Sequence, residues 1–185
     1  MTRGYLQGKK VALRAFGRGD LPAYRRWLDE PRVTEYLEMG WRPTRDSDVE
    51  AWWKLADETP DAVVFAIVDA RTGKAVGTCG LYAISWIARR AQFNILIGEP
   101  TAWDKGFGTE ALTLLLAYGF DVLNLESINL GVNADNKRGV RSYEKAGFAV
   151  EGVRRKFVYR NGRYYDSIMM SVLREEYRKG RGKKS

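Results

Sequence analysis

Two glycines one residue apart, Gly106 and Gly108, stand between two patterned runs. Arg89–Ile97 alternates like a strand, and from Gly106 to about Leu123 the apolar set Ala111, Leu114, Leu115, Tyr118 and Val122 recurs at helical spacing. The chain is therefore held to a strand–loop–helix unit here, with glycine supplying the tight backbone turn. Within Trp103-Asp104-Lys105-Gly106-Phe107-Gly108-Thr109-Glu110-Ala111, successive N–H groups can point into one concavity at a helix N-terminus. Free donors and the helix dipole make such a concavity a site for phosphate or pyrophosphate, and Lys105 adds a positive charge. The pattern Gly106-x-Gly108-x-x-Ala111 also fits a dinucleotide fingerprint, with Glu126 as its acid. Against that reading, the strand ends near Ile97, nine positions before Gly106, and Glu126 precedes the next strand instead of ending it. A P-loop is excluded, because no Gly-Lys-Ser/Thr occurs. The plainest alternative is a pair of glycines that only turn the chain.

The rest of the chain supplies elements around this unit. Val11–Phe16 reads as a strand, and Asp20 as the N-cap of a helix to about Asp29, with Pro22 in its first turn and Pro31 ending it. A second helix is expected over Asp46–Asp57. Ala62–Asp69 and Ala75–Ile84 are strands joined by the Arg71–Lys74 turn. After the glycine unit come a strand over Ser127–Val132 and a helix capped by Asn136 and closed by Gly147. Two last strands, Ala149–Tyr159 and Tyr164–Leu173, flank Asn161-Gly162, a hairpin signal. The order β-α-α-β-β-β-α-β-α-β-β describes one α/β (α+β) domain over residues 1–174. Its sheet is mixed, and its only long helical crossover joins Arg89–Ile97 to Ser127–Val132.

Composition narrows the chemistry. With no histidine, Ser-His-Asp and Cys-His catalysis are excluded, so proton transfer falls to carboxylates, Tyr, Lys, Cys, backbone or water. The single Cys79 has no disulfide or zinc partner in the sequence, and no metal is expected. Cys79 lies mid-strand without a neighbouring base, which favours a buried structural thiol over a nucleophile. Arg178–Lys184 supplies five positive charges, and the 175–185 tail that holds them is expected to be solvated and disordered; nucleic acid is not an expected partner. No apolar run is long enough to span a membrane and no signal h-region follows Met1, so a cytoplasmic enzyme is expected.

Read outward from the glycines, Ala91–Ala111 resembles the acetyl-CoA motif of the GNAT superfamily, whose core is Q/R-x-x-G-x-G/A. With Trp103 in its first place, it is most similar to the RimJ/RimL-like branch. Asn136-Lys137-Arg138-Gly139-Val140-Arg141-Ser142-Tyr143-Glu144-Lys145-Ala146-Gly147-Phe148 resembles that branch's N-x-x-S-x-x-x-Y-E-K-x-G-F segment. Glu151–Arg155 and Asn161–Asp166 match its closing strands, and Gly8–Tyr36 its opening strand and helix. The closing segment is also similar to spermidine acetyltransferases.

The resemblance implies a mostly antiparallel twisted sheet of about seven strands, helices on both faces, and a splayed fourth and fifth strand. It implies acetyl-CoA as co-substrate. Backbone groups of Ile95, Leu96 and Ile97 would pair with the pantetheine arm and polarise the thioester, while Trp103, Asp104, Lys105, Gly106, Phe107, Gly108 and Thr109 would hold the pyrophosphate. Tyr143 falls at the position of the general acid, and Asn136 is expected to touch the cofactor arm. Gln92 replaces the glutamate that many relatives use as base, and Gly139 replaces the usual serine. Glu99, Asp166 or a water chain remain as routes for the amine proton. Trp52, Trp53, Tyr82 and Trp86 line an acceptor pocket or fill the core. The acceptor implied is a protein N-terminus or a small, singly charged amine, ranked above spermidine because the body is slightly basic; aminoglycosides are a further alternative. A homodimer is what the family suggests. A non-catalytic acyl-CoA-binding module is the alternative of another class.

Overall fold

The alternation seen at both ends of the sequence builds one sheet. The computed structural model describes residues 4–182. Its strands are β1 (Leu6–Gln7), β2 (Val11–Ala15), β3 (Val63–Asp69), β4 (Ala75–Ser85), β5 (Arg90–Ile97), β6 (Ser127–Asn133), β7 (Ala149–Arg160) and β8 (Arg163–Leu173). They lie in the order β1-β2-β3-β4-β5-β6-β8-β7. The sheet has eight strands and not about seven, because the short β1 pairs with β2 through Leu6 and Leu13. Every neighbour is antiparallel except β5 and β6.

Helices cover both faces because each carries one apolar stripe. On one face lie α1 (Leu21–Leu28), α2 (Pro31–Thr34) and α3 (Asp46–Glu58), with Tyr24, Trp27 and Trp53 buried against Val64, Ala66 and Leu96. On the other, α4 (Phe107–Ala117) buries Ala111, Leu112 and Leu115 against β2–β6, and α5 (Lys137–Lys145) lies beside it. No helix among the described residues is long and apolar enough to cross a membrane.

Four local expectations change. Asp20 stands at the N-cap position of α1, but with helical backbone angles and no side-chain bond into that helix; its carboxylate accepts two bonds from Arg14 at 2.7 Å and one from the Gly17 amide at 2.9 Å. Burial alone would raise the Asp20 carboxyl, but Arg14 and the Gly17 amide together hold it below its ordinary value. Pro31 opens α2 instead of only ending α1, since its missing N–H costs nothing at a first helical position. The glycine-loop helix ends as an α-helix at Ala117 and continues as a π-turn over Tyr118–Val122, closed by Leu123 N donating to Tyr118 O at 3.0 Å. The tail is helical over Arg174–Gly182 (α6), a correction to the expected disorder for those residues; residues 183–185 lie outside the described part. Tyr177 stacks on Phe120 at 4.8 Å and donates to Asp121 at 2.9 Å, contacts that offset the entropy of ordering the tail.

Asp20→Asn is expected to cost about 2 kcal/mol in urea unfolding, since it leaves a part-buried guanidinium short of its partner. The parent's Asp20 contribution is present above the unfolded carboxyl pKa of about 4 and is lost as pH falls through the lower folded value. A variant as stable as the parent at neutral pH would refute this.

Candidate active site

The only parallel neighbours among the described strands, β5 and β6, separate early. Arg90, Ala91 and Gln92 pair with Ser127, Ile128 and Asn129, and beyond them β5 and β6 diverge. The unpaired edge of β5 can be read from its other side. Gly98 N donates to Val76 O at 2.9 Å, so by antiparallel alternation Leu96 also bonds toward β4. The indole of Trp103 donates to Ile97 O at 2.8 Å, on the opposite side. Backbone groups of Ile95 and Ile97 therefore face the gap, whereas those of Leu96 belong to the β4 ladder.

The glycine loop ends at this gap. Gly106 takes the left-handed conformation at φ 79°, which glycine adopts without a Cβ penalty, and α4 starts at the next residue. The first helical bond runs from Glu110 N to Gly106 O at 3.0 Å, which leaves the amides of Phe107, Gly108 and Thr109 without a helical acceptor. Glu110 fixes this helix end to the start of β2: its carboxylate accepts from the amides of Lys9, Lys10 and Val11 at 3.0, 2.6 and 2.7 Å. Lys10 Nζ donates to Lys105 O at 2.8 Å and closes the loop from the same side.

A second helix end meets the first. Asn136 caps α5, accepting from Gly139 N at 2.9 Å. Arg138 pairs with Asp104 at 3.3 Å and lies over the Trp103 ring at 5.3 Å. Thr109 and Ser142 share a hydrogen bond of 3.2 Å. The next residue, Tyr143, is wedged between Phe93 and Phe148, with ring centroids at 6.0 and 5.8 Å. Tyr143 keeps some surface because it opens on the gap, yet the protein around its phenol desolvates it and pushes its pKa up to about 12.

These parts enclose one cleft of about 640 Å³. Ile95, Leu96, Ile97, Trp103, Asp104, Gly106, Phe107, Gly108, Thr109, Asn136 and Tyr143 all line it. Lys105 does not; its backbone carbonyl is turned to Lys10 instead. Neither proposed base is among the lining residues. Glu99 accepts from Trp27 Nε1 at 2.9 Å and pairs with Arg26, tying the loop after β5 to α1. Asp166 accepts from Lys156 N at 2.8 Å and closes the bulge between β7 and β8. Cys79 is buried, and burial pushes its thiol well above the ordinary range.

The sequence reading missed the wall opposite α5, formed by α2 and the segment after it, including Val33, Glu35, Tyr36 and Leu37. Arg160, at the tip of the β7–β8 hairpin, holds that segment. Its guanidinium donates to Leu37 O at 3.2 Å, Met39 O at 2.9 Å, Gly40 O at 3.4 Å, Thr34 Oγ1 at 3.1 Å and also to Thr34 O. No local pattern announces a contact across more than a hundred residues. Of the four aromatics assigned to a pocket or core, Trp53 is core and Trp86 is half exposed, donating to Asp61. Trp52 lines a separate cavity between α1 and α3, with Tyr82 against its ring at 5.7 Å.

Comparison with known proteins agrees with this geometry. Residues 10–149 match the Acetyltransferase (GNAT) domain family. The spermidine N(1)-acetyltransferase of Vibrio cholerae is 31% identical over 168 residues, spanning 91% of this chain and 95% of that protein. The uncharacterized N-acetyltransferase p20 of Bacillus licheniformis is 29% identical over 178 residues, spanning 93% of this chain and 97% of its own. A crystal structure of spermidine N-acetyltransferase from Vibrio cholerae in complex with CoA and spermine superposes with a TM-score of 0.83 at 30% identity, covering 92% of this chain and 99% of that one. The splayed strands, the unpaired helix amides and the family match lead to one conclusion: the chain belongs to the GNAT acetyltransferases, enzymes that transfer the acetyl group of acetyl-CoA to an amine.

Proposed function

We propose that this member of the RimJ/RimL-like branch acetylates a small-molecule primary amine by direct attack while both substrates are bound. The carrying observation is the unpaired α4 N-terminus and the free β5 edge lining one cleft with Tyr143. The relatives named as spermidine acetyltransferases support a small amine over a protein N-terminus. Such an enzyme would meet acetyl-CoA in the cytoplasm.

The amides of Phe107, Gly108 and Thr109 receive the pyrophosphate, and the dipole of α4 adds to their pull. Backbone groups of Ile95 and Ile97 bind the pantetheine amides and polarise the thioester carbonyl. Tyr143 gives its proton to the sulfur as the C–N bond forms and the C–S bond breaks; the surplus proton on nitrogen restores the phenol through solvent. A desolvated phenol with a pKa of about 12 stays protonated throughout the working range, as an acid must. Because the Glu99 and Asp166 carboxylates are engaged elsewhere, water takes the first proton from the ammonium.

Thiol release from acetyl-CoA in the presence of amines tests this scheme. Tyr143→Phe is expected to lower kcat by about 10- to 100-fold, with Kd for acetyl-CoA moving less than about twofold. In the parent, kcat should rise with pH as more amine is neutral, with no loss from Tyr143 below about pH 11. Full kcat in Tyr143→Phe would remove the general acid from the scheme.

A further inference from the structure

An ion pair joins the two walls of the cofactor cleft, and one of its members is a carboxylate in a site suited to anions. Asp104 of the glycine loop pairs with Arg138 of α5 at 3.3 Å, and both line the cleft. Their side chains are 77% and 56% exposed, so the pair stands at the rim. Its length is well beyond the roughly 2.8 Å of a tight charge-assisted bond, so Arg138 is held loosely.

Several contacts bring this pair to the helix end that receives the cofactor. The Trp103 indole donates to Ile97 O at 2.8 Å, and its ring carries the Arg138 guanidinium at 5.3 Å. Ser142, four residues after Arg138 and so on the same face of α5, shares a hydrogen bond of 3.2 Å with Thr109. Arg138 therefore stands on the side of α5 that faces the first turn of α4. There the amides of Phe107, Gly108 and Thr109 lack helical acceptors. Asp104 takes the left-handed conformation at φ 59°, an angle that non-glycine residues rarely adopt and that clusters at functional sites. Of the two guanidinium groups lining the cleft among the described residues, Arg32 on α2 is paired with Glu30 at 2.9 Å. Arg138 is the one carried on the wall that meets the glycine loop.

A diphosphate at the start of α4 meets Arg138 as an opposite charge and Asp104 as a like one. We propose that Asp104 is an internal competitor of the cofactor: its carboxylate and the diphosphate of acetyl-CoA contend for the Arg138 guanidinium. This inference rests on the acetyl-transfer reading above. It reverses the role expected for Asp104 from the sequence, from a group that holds the pyrophosphate to one that limits its hold. An exposed pair shifts an equilibrium by up to about fivefold, so the competition tunes binding and does not block it. Acetyl-CoA and CoA carry the same diphosphate, so both are bound less tightly, and the gain falls to the release of CoA after transfer.

Calorimetric titration of the full chain with acetyl-CoA and with CoA tests this. Asp104→Asn keeps a side chain that tolerates the left-handed angle, and it should lower Kd for both ligands about fivefold. Dissociation of CoA, followed by stopped flow, should slow by a similar factor. The advantage should narrow as salt is raised, because an exposed pair is screened. Arg138→Gln should raise both Kd values about tenfold. In the Arg138→Gln background, Asp104→Asn should gain less than about twofold, which separates competition for the guanidinium from plain repulsion of the diphosphate. If Asp104→Asn binds acetyl-CoA no more tightly than the parent, or if its gain persists in full without Arg138, the inference is overturned while binding by the parent still upholds the cofactor reading. If the parent binds neither ligand, both readings fall together.

Discussion

Gly108→Val abolishes acetyl-CoA binding at concentrations that saturate the parent, with Kd raised at least about 100-fold, or about 2.7 kcal/mol. A Cβ at this position would lie 3.5 Å from Ile97 Cγ1 and 3.9 Å from Ile95 Cδ1, which is ordinary contact. The protein therefore accepts the first added carbon, and the remaining methyls stand where the cofactor arm is proposed to pass, between the start of α4 and the edge of β5. Helix propensity changes little, because glycine is itself a poor helix former. Thermal unfolding without ligand should match the parent within a few degrees. Calorimetric titration with acetyl-CoA decides the matter: a Kd like the parent's would move the cofactor arm out of this cleft.

Gly77→Ala gives the largest expected loss of stability. On β4, Gly77 faces Ile97 of β5, and a Cβ would stand 2.1 Å from Leu96 O and 3.1 Å from Ile97 Cα. Both contacts are backbone, so no side chain can rotate away and the two strands must separate. A cost of about 4 kcal/mol follows, since overpacking is joined by lost ladder bonds. Tm should fall by about 10 °C for a domain of this size. Because the disturbance falls at Leu96 and Ile97, acetyl-CoA binding should weaken with it. Tm within about 2 °C of the parent would show that β4 and β5 are not in such close contact.

Several features were legible because they depend on residues within one turn of each other. The positive φ angles of Asn161 and Gly162, at 50° and 80°, are those that an Asn-Gly hairpin demands. Asn136 caps α5 through its side-chain oxygen, and Gly147 closes it at φ 100°, an angle open to a residue without a Cβ. The same locality misled at Asp20. Its type and position suit a cap, but Arg14 on the neighbouring strand offers a charged partner that outcompetes the helix amides. Glu99 and Asp166 stand where a base was expected in sequence, yet their direction is set by Trp27 and Lys156, groups that only folding brings near.

By itself, then, the sequence determined the strand–loop–helix unit, the free amides that follow from Gly106 and Gly108, and the line of elements that carries Tyr143 to the same cleft. Glycine conformation, capping and apolar period are properties of neighbouring residues, so they survive without knowledge of the whole chain. Tertiary structure alone decided the divergence of β5 from β6, the turning of Leu96 away from the gap, and the Arg160 bonds that hold the far wall. Those depend on contacts between residues distant in the chain, whose closure entropy is offset only when the complete sheet and both helical layers form together.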